Sequence, residues 1–366
     1  MAGVLRLRSD GNGQLVAFAK NYVPQPNDPV VPRDVVKRFS LLDGANLEAS
    51  GLMMNGRLTV REVQMVEGFP VEDLTKRSAF SDLVSIDPNR RIRFETEPDE
   101  LSGRVLDLLT PMGFGQRALI VAPPKAGKTT LLKVMATAVL KNHPGVPVLV
   151  LLVDERPEEV TDFRRSVGPL GAEVLASTSD ETPEQHIGLS EFVLERAKRM
   201  VEAGKDVVIL CDSLTRMARA YNHMQKGNGK ILSGGIDART MEKPRRFFGA
   251  ARNGENAGSL TVIATALVDT GSRMDEVIFQ EFKGTGNTEI ILDRKLFERR
   301  IFPCLDVPGS GTRKEEKLYG KDELPKVRAL RRALAAANPV DGLTLLIDKL
   351  PRFKKNIEFL RGLPSA

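Results

Sequence analysis

The stretch Ala122-Pro-Pro-Lys-Ala-Gly-Lys-Thr129 decides the fold of this 366-residue chain. A phosphate-binding loop needs a buried strand, a tight turn whose backbone N–H groups surround a phosphate, and a helix whose positive end points at the same charge. The run Arg117–Val121 predicts the strand, Pro123–Gly127 predicts the turn, and the helix is expected to begin near Lys128. Ala122 stands where the usual G-x-x-x-x-G-K-[ST] pattern has its first glycine, so the pattern fails at one position while the mechanism survives.

Apolar strands and amphipathic helices alternate on both sides of this loop. This alternation predicts an α/β fold in which a mainly parallel sheet carries helices on both faces. The predicted strands are Ala118–Val121, Val146–Val153, Val207–Leu210 and Ser259–Ala266, and the predicted helices are Thr130–Leu140, Pro183–Ala203 and Leu214–Asn222.

The first part of the chain has a different pattern. Residues 1–78 contain short β-type runs, such as Gln14–Phe18 and Arg57–Arg61, separated by Gly, Asn and Pro. These runs predict a small all-β unit. The charged, poorly periodic stretch Asp87–Glu100 indicates a linker. We therefore expect an all-β domain over 1–78, a linker over 79–100 and an ATPase domain over 101–366.

Composition excludes several classes of protein. The apolar runs are far shorter than the roughly 20 residues of a membrane-spanning helix, and the start lacks the apolar core of a secretory signal. With two cysteines in the chain, a reducing cytoplasm and no membrane contact are expected. The three histidines and two cysteines lack metal-ligand spacing, so Mg²⁺ bound with ATP is the only metal we expect. The net charge of +6 permits a polyanionic partner without requiring one.

Two strand ends supply the acids that nucleotide hydrolysis needs besides the loop. The run Val207–Asp212 is apolar and ends in Asp212, which suits a carboxylate that holds the magnesium shell together with Thr129. Glu155 lies just beyond another predicted strand, at the edge where open α/β sheets bind ligands, and is the better candidate for the general base. A solvated turn or a helix cap is the alternative for either acid.

Three polar, glycine-rich segments have no evident packing purpose. They are Lys226–Gly235, Lys283–Asn287 and Pro308–Arg313. Flexible backbone beside Lys or Arg suits a loop that approaches a nucleic-acid backbone or the nucleotide of a neighbouring subunit. Mobile surface loops are an equally good interpretation. The run Lys243–Arg252 is interpreted as a solvated helix face beside a buried Phe pair.

Four motifs in order give a family resemblance. They are Ala122–Thr129, Asp154–Val160, Arg245–Arg252 and Glu281–Asn287. With them, the chain closely resembles the bacterial transcription termination factor Rho family from about residue 3 to about residue 350. The resemblance implies a RecA-like motor domain preceded by an OB or cold-shock-like barrel, and a homohexameric ring. It also implies RNA-dependent ATP hydrolysis that drives 5′→3′ translocation on single-stranded RNA and releases transcripts from the RNA polymerase elongation complex.

The same resemblance assigns roles to individual residues. Glu155 becomes the catalytic base, Lys128 a catalytic phosphate ligand, and Arg313 an arginine finger that enters the adjacent subunit's site. Arg156 and Arg216 would couple the nucleotide state to subunit contacts. The nucleotide-binding residues would be Pro124, Lys125, Ala126, Gly127, Lys128, Thr129, Thr130, Asp212, Arg300 and Phe302, the last stacking on adenine. Lys230 of a first pore loop, and Lys283, Gly284 and Thr285 of a second, would contact RNA.

The chain departs from the family in its first 78 residues. Gly11-Asn12-Gly13-Gln14-Leu15 aligns with a Gly-aromatic-Gly-Phe-Leu motif whose rings stack on RNA bases, and both aromatic positions are polar here. Two further positions that are usually tyrosine fall on Val30 and Met54. Each base–aromatic stack contributes about 1–3 kcal/mol, so we expect a weak or altered primary RNA site unless Phe18 or Tyr22 substitutes. Misalignment of this short region is the alternative.

Two other functions remain open. A hexameric RecA-like ATPase of the rotary synthase or secretion type shares the fold but lacks the Lys-Gly-Thr-Gly-Asn loop and needs no RNA for turnover. A nucleotide-stabilised RNA-binding module without motor activity would fit the altered barrel, although the hydrolytic residues argue against it. Val307–Gly309, where the family has polar or basic residues, could shift the approach of Arg313.

Overall fold

The computed structural model describes residues 1–225, 231–232, 235–237 and 239–363. A six-stranded sheet and a nine-stranded sheet account for most of its strands. Lys230, assigned to the first pore loop, lies outside the described residues.

The first 70 residues form a small barrel. Its elements are β1 (Ala2–Leu7), β2 (Gly13–Val16), β3 (Val30–Val31), α1 (Arg33–Arg38), β4 (Asn46–Met54), β5 (Arg57–Val66) and β6 (Phe69–Pro70). The strands follow the order β3-β2-β1-β4-β5-β6, and a parallel bridge between Val30 and Thr59 closes the sheet. Asn55 and Gly56 both have positive φ, which is the backbone of a two-residue hairpin turn between β4 and β5. The expected OB-like barrel is confirmed.

The segment that joins the barrel to the ATPase part packs against the ATPase part at several points. It contains β7 (Ser85–Ile86) and β8 (Arg91–Ile92), followed by α2 (Leu101–Leu109) and β9 (Met112–Gly113). Strand β8 pairs with β9, and Ile92 and Phe94 are fully buried. Residues 87–100 therefore contain charged side chains together with apolar side chains that belong to the core of the ATPase part.

A mainly parallel sheet forms the centre of the ATPase part, as predicted. Its order is β12-β11-β13-β17-β10-β18-β19, where β18–β19 is antiparallel, and β16 and β7 add to the β17 side. The strands are β10 (Arg117–Ala122), β11 (Val148–Glu155), β12 (Glu173–Thr178), β13 (Asp206–Asp212), β16 (Arg252–Gly254), β17 (Ser259–Leu267), β18 (Thr288–Ile291) and β19 (Gly311–Thr312). A separate antiparallel pair comprises β14 (Ile231–Leu232) and β15 (Ile236–Asp237).

Helices pack on both faces of this sheet. They are α3 (Lys128–Asn142), α4 (Pro157–Val167), α5 (Pro183–Glu202), α6 (Leu214–Met224), α7 (Glu242–Gly249), α8 (Arg273–Phe282) and α9 (Arg294–Glu298). The four predicted strands and three predicted helices are confirmed, with ends that move by a few residues. The Phe pair is also confirmed, because Phe247 and Phe248 on α7 are buried.

Three carboxy-terminal helices complete the domain. They are α10 (Glu323–Ala336), α11 (Pro339–Lys349) and α12 (Asn356–Arg361). The fully buried Arg104 of α2 donates to the carbonyl of Leu350 at 3.0 Å and to Oδ1 of Asn356 at 3.1 Å, which ties these helices to the sheet. Among the described residues, no helix is long and apolar enough to span a bilayer.

The barrel docks on β12 and α5 through specific polar contacts. The Asn21 amide donates to the carbonyl of Ala176 at 2.7 Å and accepts from the N–H of Ala176 at 3.0 Å. Tyr22 is buried and donates its hydroxyl to Glu173 at 2.7 Å. On α5, Arg196 pairs with Glu67 of the barrel. Because these groups are satisfied only in the docked arrangement, the barrel and the ATPase part are held in one orientation.

Candidate active site

The phosphate-binding loop has the backbone that the sequence predicts. Strand β10 ends at Ala122, and α3 begins at Lys128 after a turn in which Lys125 and Gly127 adopt positive φ. Space is open where a Cβ on Gly127 would lie, so the glycine is required by its φ of +86° and not by crowding. Ala126 is buried beneath the loop, whereas Pro124, Lys125 and Thr130 are exposed. The loop therefore offers its N–H groups and two lysines to an anion.

Lys128 lies between the two predicted acids. Its Nζ is 2.6 Å from Asp212 Oδ2 and 3.4 Å from Glu155 Oε1. Asp212 Oδ1 also accepts from the hydroxyl of Thr265 at 2.8 Å, which fixes the carboxylate at the end of β13. Burial alone would lower the pKa of the Lys128 ammonium, but Asp212 and Glu155 together raise it. The structure thus brings the three residues into one charged cluster.

Glu155 is the last residue of β11, so the strand extends two residues beyond its predicted end. Asp154 has a φ of 54°, and the register of β11 with β12 shifts at this point. The irregularity leaves Glu155 buried, 2% exposed, at the carboxyl edge of the sheet. Burial, reinforced by Asp212, raises the pKa of Glu155 to about 7, although Lys128 and Arg216 act in the opposite direction. A carboxyl group with such a pKa is suited to proton transfer near neutrality.

The two arginines assigned to coupling have different surroundings. Arg216 Nη1 lies 3.1 Å from Asp154 Oδ2, and its Nε lies 3.2 Å from Glu155 Oε1. Arg216 therefore touches the proposed base directly. Arg156 is exposed and precedes the first turn of α4, and among the described residues it pairs with neither Glu155 nor Asp212.

Glu159 is a member of the site that sequence reasoning missed. The hydroxyl of Thr129 donates to Glu159 Oε2 at 3.4 Å, and Glu159 also contributes to the charge around Lys128 and Glu155. Its position in the first turn of α4, four residues after Glu155, is the sequence feature that could have identified it. A helix that starts at the carboxyl edge of the sheet directs its first turn at the same ligand region.

The donor set fits a magnesium ion that arrives with nucleotide. Thr129 and Asp212 offer hydroxyl and carboxylate oxygens, the ligands that Mg²⁺ prefers, beside the phosphate loop. In the part of the chain that the structure describes, no cluster of three or more His, Cys, Asp or Glu side chains could hold a metal alone. Phosphate oxygens would therefore have to complete the coordination.

A cavity of about 270 Å³ adjoins the loop on the side away from the acids. It is lined by Ala126, Gly127 and Thr130 from the loop region and by Phe302 and Cys304 across from them. Phe302 is 43% exposed, and its ring packs edge-on against Phe297 with centroids 5.7 Å apart. The structure thus places an exposed ring beside the phosphate loop, and its stacking on a base stays a prediction. Arg300 is exposed, and its guanidinium lies 5.6 Å from the ring centre of Phe297.

Arg313 lies at the opposite edge of the sheet. Its N–H donates to the carbonyl of Asn287 at 2.8 Å, and the preceding Thr312 pairs with Thr288, level with the start of β10. The phosphate loop follows the other end of β10. Five strand steps from Arg117 to Ala122 span roughly 16 Å, which exceeds the reach of an arginine side chain. Arg313 therefore cannot act on the phosphates of its own chain.

The second glycine-rich loop lies beside Arg313. Lys283 and Gly284 are exposed, and Gly284 has a φ of 80°. The carbonyl of Thr285 accepts from Arg117 Nε at 3.1 Å, and Arg117 Nη1 donates to Ala251 at 3.1 Å. Burial, followed by the charge of Arg313, lowers the pKa of Arg117. Arg117 was not identified from sequence, because only the fold brings it between the loop and the finger.

The barrel residues that bear on the predicted RNA site have different surroundings. Gln14 is buried and donates to the carbonyl of Gln25 at 3.2 Å, and Val30 lies in β3. Tyr22 is 3% exposed and engaged with Glu173, so it cannot substitute for a missing ring. Phe18 is 42% exposed and remains available. Of the two possible substitutes, the structure leaves one.

Comparisons with known proteins agree with this architecture. Residues 103–312 match the nucleotide-binding domain of the ATP synthase alpha/beta family. The transcription termination factor Rho of Aquifex aeolicus is 50% identical over 366 residues, covering 99% of this chain and 84% of that protein. The Rho factor of Haemophilus influenzae is 49% identical over 363 residues, covering 98% and 86%.

A solved structure shares the fold at low identity. An ATPase from the type III secretion system of pathogenic bacteria superposes with a TM-score of 0.65 at 22% identity, over 76% of this chain and 86% of that one. At this identity the likeness extends to the fold and not to the activity.

Proposed function

The chain belongs to the transcription termination factor Rho family, and from that premise we propose how its residues carry out RNA-dependent ATP hydrolysis in transcription termination. The observation that carries the proposal is the contact of Lys128 with both Asp212 and Glu155 directly below the phosphate loop. Three groups needed for phosphoryl transfer thus meet at one carboxyl edge of a parallel sheet.

Nucleotide binding rearranges the Lys128 cluster. Without an anion in the loop, Lys128 is neutralised by two carboxylates; with ATP, its ammonium turns to the phosphates, aided by Lys125 and the N–H groups of residues 127–130. Adenine occupies the cavity beside Phe302, near Arg300. Thr129 and Asp212 would hold Mg²⁺ that comes with the nucleotide, and the ion would neutralise charge on the phosphates.

Glu155 is proposed as the general base for the attacking water. Its raised pKa allows a carboxylate that accepts a proton efficiently near pH 7. Arg216 contacts both Asp154 and Glu155, so a movement of Arg216 changes the position and basicity of the base. Arg156, exposed one residue after Glu155, is the second residue through which a neighbouring subunit would reach this point.

Arg313 is proposed to complete the site of the next subunit in a homohexameric ring. Its position roughly 16 Å of strand away from its own loop supports action in trans. An arginine finger contributes about 10³–10⁵-fold to hydrolysis where its effect is known. Isolated subunits are therefore expected to turn over very slowly.

RNA is proposed to bind at the end of the sheet where Arg313 lies. Lys283, Gly284 and Thr285 form a loop with an exposed lysine, and Gly286 connects this loop to Asn287, whose carbonyl accepts from the Arg313 N–H. RNA held in the ring channel by this loop and by Lys230 would thus be able to shift Arg313, because only Gly286 and Asn287 lie between the loop and the Arg313 backbone contact. This arrangement supplies a physical route for RNA dependence.

Three segments of the chain are proposed to have different roles. Residues 1–78 capture RNA, 79–100 connect, and 101–366 form the motor that translocates 5′→3′. The partners are single-stranded RNA, further copies of this chain and the RNA polymerase elongation complex, in the cytoplasm.

Steady-state ATP hydrolysis by the whole chain, with and without polycytidylic acid, tests the proposal. Strong stimulation by RNA is expected. Turnover that ignores RNA would favour a rotary-type motor, and the absence of turnover under both conditions would favour a binding module.

Two variants on one helix provide the control. Lys128→Ala should abolish hydrolysis because it removes the phosphate ligand and leaves Asp212 and Glu155 facing each other. Lys133→Ala removes a surface lysine of α3 that pairs with Asp162 at 2.5 Å, outside the cluster, and should leave the rate nearly unchanged. Near-normal hydrolysis by Lys128→Ala would overturn the site assignment.

A further inference from the structure

A second cavity lies where the barrel meets the ATPase part. Its volume is about 430 Å³, within the range of roughly 300–1,000 Å³ typical of small-molecule sites. The barrel contributes Phe39, Leu41 and Val66, the segment after it contributes Leu74, and α5 contributes Arg199 and Glu202. The cavity is on the α5 side of the molecule and contains none of the residues assigned to nucleotide or RNA.

Two buried polar atoms on the lining residues have no hydrogen-bond partner. Glu67 uses Oε1 to accept from the N–H of Asn46 and to pair with Arg196, while its Oε2 accepts nothing from the described residues. Arg199 pairs with Glu202 at 2.9 Å, while its Nε donates to no described residue. The side chains are 2% and 9% exposed. A buried polar atom without a partner is costly, so both atoms favour a ligand.

The chemistry of the lining restricts that ligand. Three arginines and three glutamates line the cavity, so its formal charges cancel and neither an anion nor a cation is favoured overall. One unpartnered atom is an acceptor and the other is a donor. The remaining lining is largely aliphatic and aromatic.

We propose that this junction cavity is a binding site for a small neutral molecule that has an apolar body and a head group, such as a primary amide, able both to donate and to accept hydrogen bonds. The head donates to Glu67 and accepts from Arg199, and the body packs against Phe39, Leu41 and Leu74. Since Glu67 belongs to the barrel and Arg199 to α5, the ligand bridges the two parts and stabilises their docking. The site is independent of the proposed ATPase mechanism.

Three probes with one body and different heads test the chemistry. They are 4-phenylbutanamide, 4-phenylbutanoate and 4-phenylbutylamine, titrated calorimetrically into the whole chain without ATP or RNA. The amide is expected to bind saturably with a Kd of about 1 mM or below, the range for a fragment of this size. It should bind at least about tenfold more tightly than the anion, which cannot donate, and the ammonium, which cannot accept.

Variants locate the binding. Arg199→Lys keeps the positive charge beside Glu202 but removes the Nε donor, and should weaken the amide at least about tenfold. Leu74→Trp fills the cavity from its partly buried position and should abolish binding. Leu52→Trp, on a barrel residue that is 66% exposed, is the matched control and should bind the amide normally.

The results of these titrations can support the proposed site or overturn it. Preferential binding of the amide that Leu74→Trp abolishes and Leu52→Trp preserves supports the site. Equal binding of the three probes, no saturable binding of the amide up to about 5 mM, or unchanged affinity in Leu74→Trp would overturn it. Because no nucleotide or RNA is present, failure here would leave the proposed ATPase function untouched.

Discussion

The phosphate-loop region brings together the groups that hydrolysis needs, whereas the barrel exposes few rings on which RNA bases could stack. Around Lys128, every residue type required for hydrolysis is present and the acids converge within hydrogen-bonding distance. On the barrel, Gln14 is buried and donates to the carbonyl of Gln25, and Tyr22 is committed to the docking contact. Hydrolysis depends on a fixed local geometry, whereas capture of single-stranded RNA depends on exposed rings that neighbouring contacts can remove. From this difference we predict that hydrolysis is retained while the first contact with RNA is weak or altered.

The largest effect expected on the motor side is that of Arg313→Ala. Removing the guanidinium should reduce RNA-stimulated hydrolysis by about 10³–10⁵-fold, because charge developing on the transferred phosphoryl group loses its partner. Mixing this variant with Lys128→Ala gives the sharper measurement. If the finger acts in trans, mixed rings contain sites with an intact loop beside an intact finger, and some activity returns. Continued inactivity of the mixture would contradict action in trans.

Glu155→Gln should reduce the rate of hydrolysis by about 10²–10⁴-fold while nucleotide binding is retained, since the amide cannot accept the proton from water. A fluorescent ATP analogue measures the binding, and phosphate release measures the rate. Glu158→Gln, on the exposed side of α4, is the matched control. A loss of binding equal to the loss of rate would instead assign Glu155 a structural role.

On the barrel side, Asn21→Ala should lower the free energy of unfolding by about 1–3 kcal/mol, because it leaves the N–H and carbonyl of Ala176 without their partners. Urea denaturation followed by circular dichroism measures this change. Asn12→Ala, which alters the barrel away from β12, serves for comparison. Equal stability of Asn21→Ala and the unchanged chain would mean that the docking contact contributes little.

The acidity of Glu155 predicts a pH dependence on the motor side. Its carboxylate form is required, and its pKa is raised to about 7, so kcat/KM should rise with pH through 7 and fall about tenfold per pH unit well below it. The free-enzyme parameter is measured at saturating RNA between pH 5.5 and 8.5. A flat profile over this range would show that Glu155 keeps an ordinary acidity or does not act as the base.

The smallest effect is expected from Phe18→Ala. The ring is 42% exposed and contacts Tyr22, with centroids 6.0 Å apart, but Tyr22 is buried and cannot stack on a base. The loss of Phe18 should therefore weaken oligonucleotide binding by less than about tenfold. Fluorescence anisotropy with a labelled pyrimidine oligonucleotide and the whole chain measures the affinity. Replacement of the partly exposed Asn12 by tyrosine should instead strengthen oligonucleotide binding, because it offers a ring for stacking. A loss much larger than tenfold in Phe18→Ala would identify this ring as the centre of the RNA site and remove the contrast between the regions.

The parts of the site that could be predicted from the sequence are those that directly follow a recognisable strand. The phosphate loop, Asp212 and Glu155 each follow an apolar strand, and parallel strands bring their carboxyl ends together. Arg117 and Glu159 were missed because their partners lie far along the chain or across a helix start. Helix α10 was also missed, although Val327, Leu330 and Leu334 repeat at helical spacing and are buried. The burial of Tyr22 could not be predicted, because its partner Glu173 is 151 residues away.

The bond pair between Asn21 and Ala176 has a consequence for the solubility of the ATPase part. Strand β12 is the terminal strand of the nine-stranded sheet, and an unpaired terminal strand is a template for association with other chains. The Asn21 amide imitates a neighbouring strand at Ala176, offering one donor and one acceptor. Severing the barrel would uncover this edge together with the Glu173 contact of Tyr22. By covering this edge, the barrel also protects the ATPase part from aggregation. This protection does not depend on the affinity of the barrel for RNA.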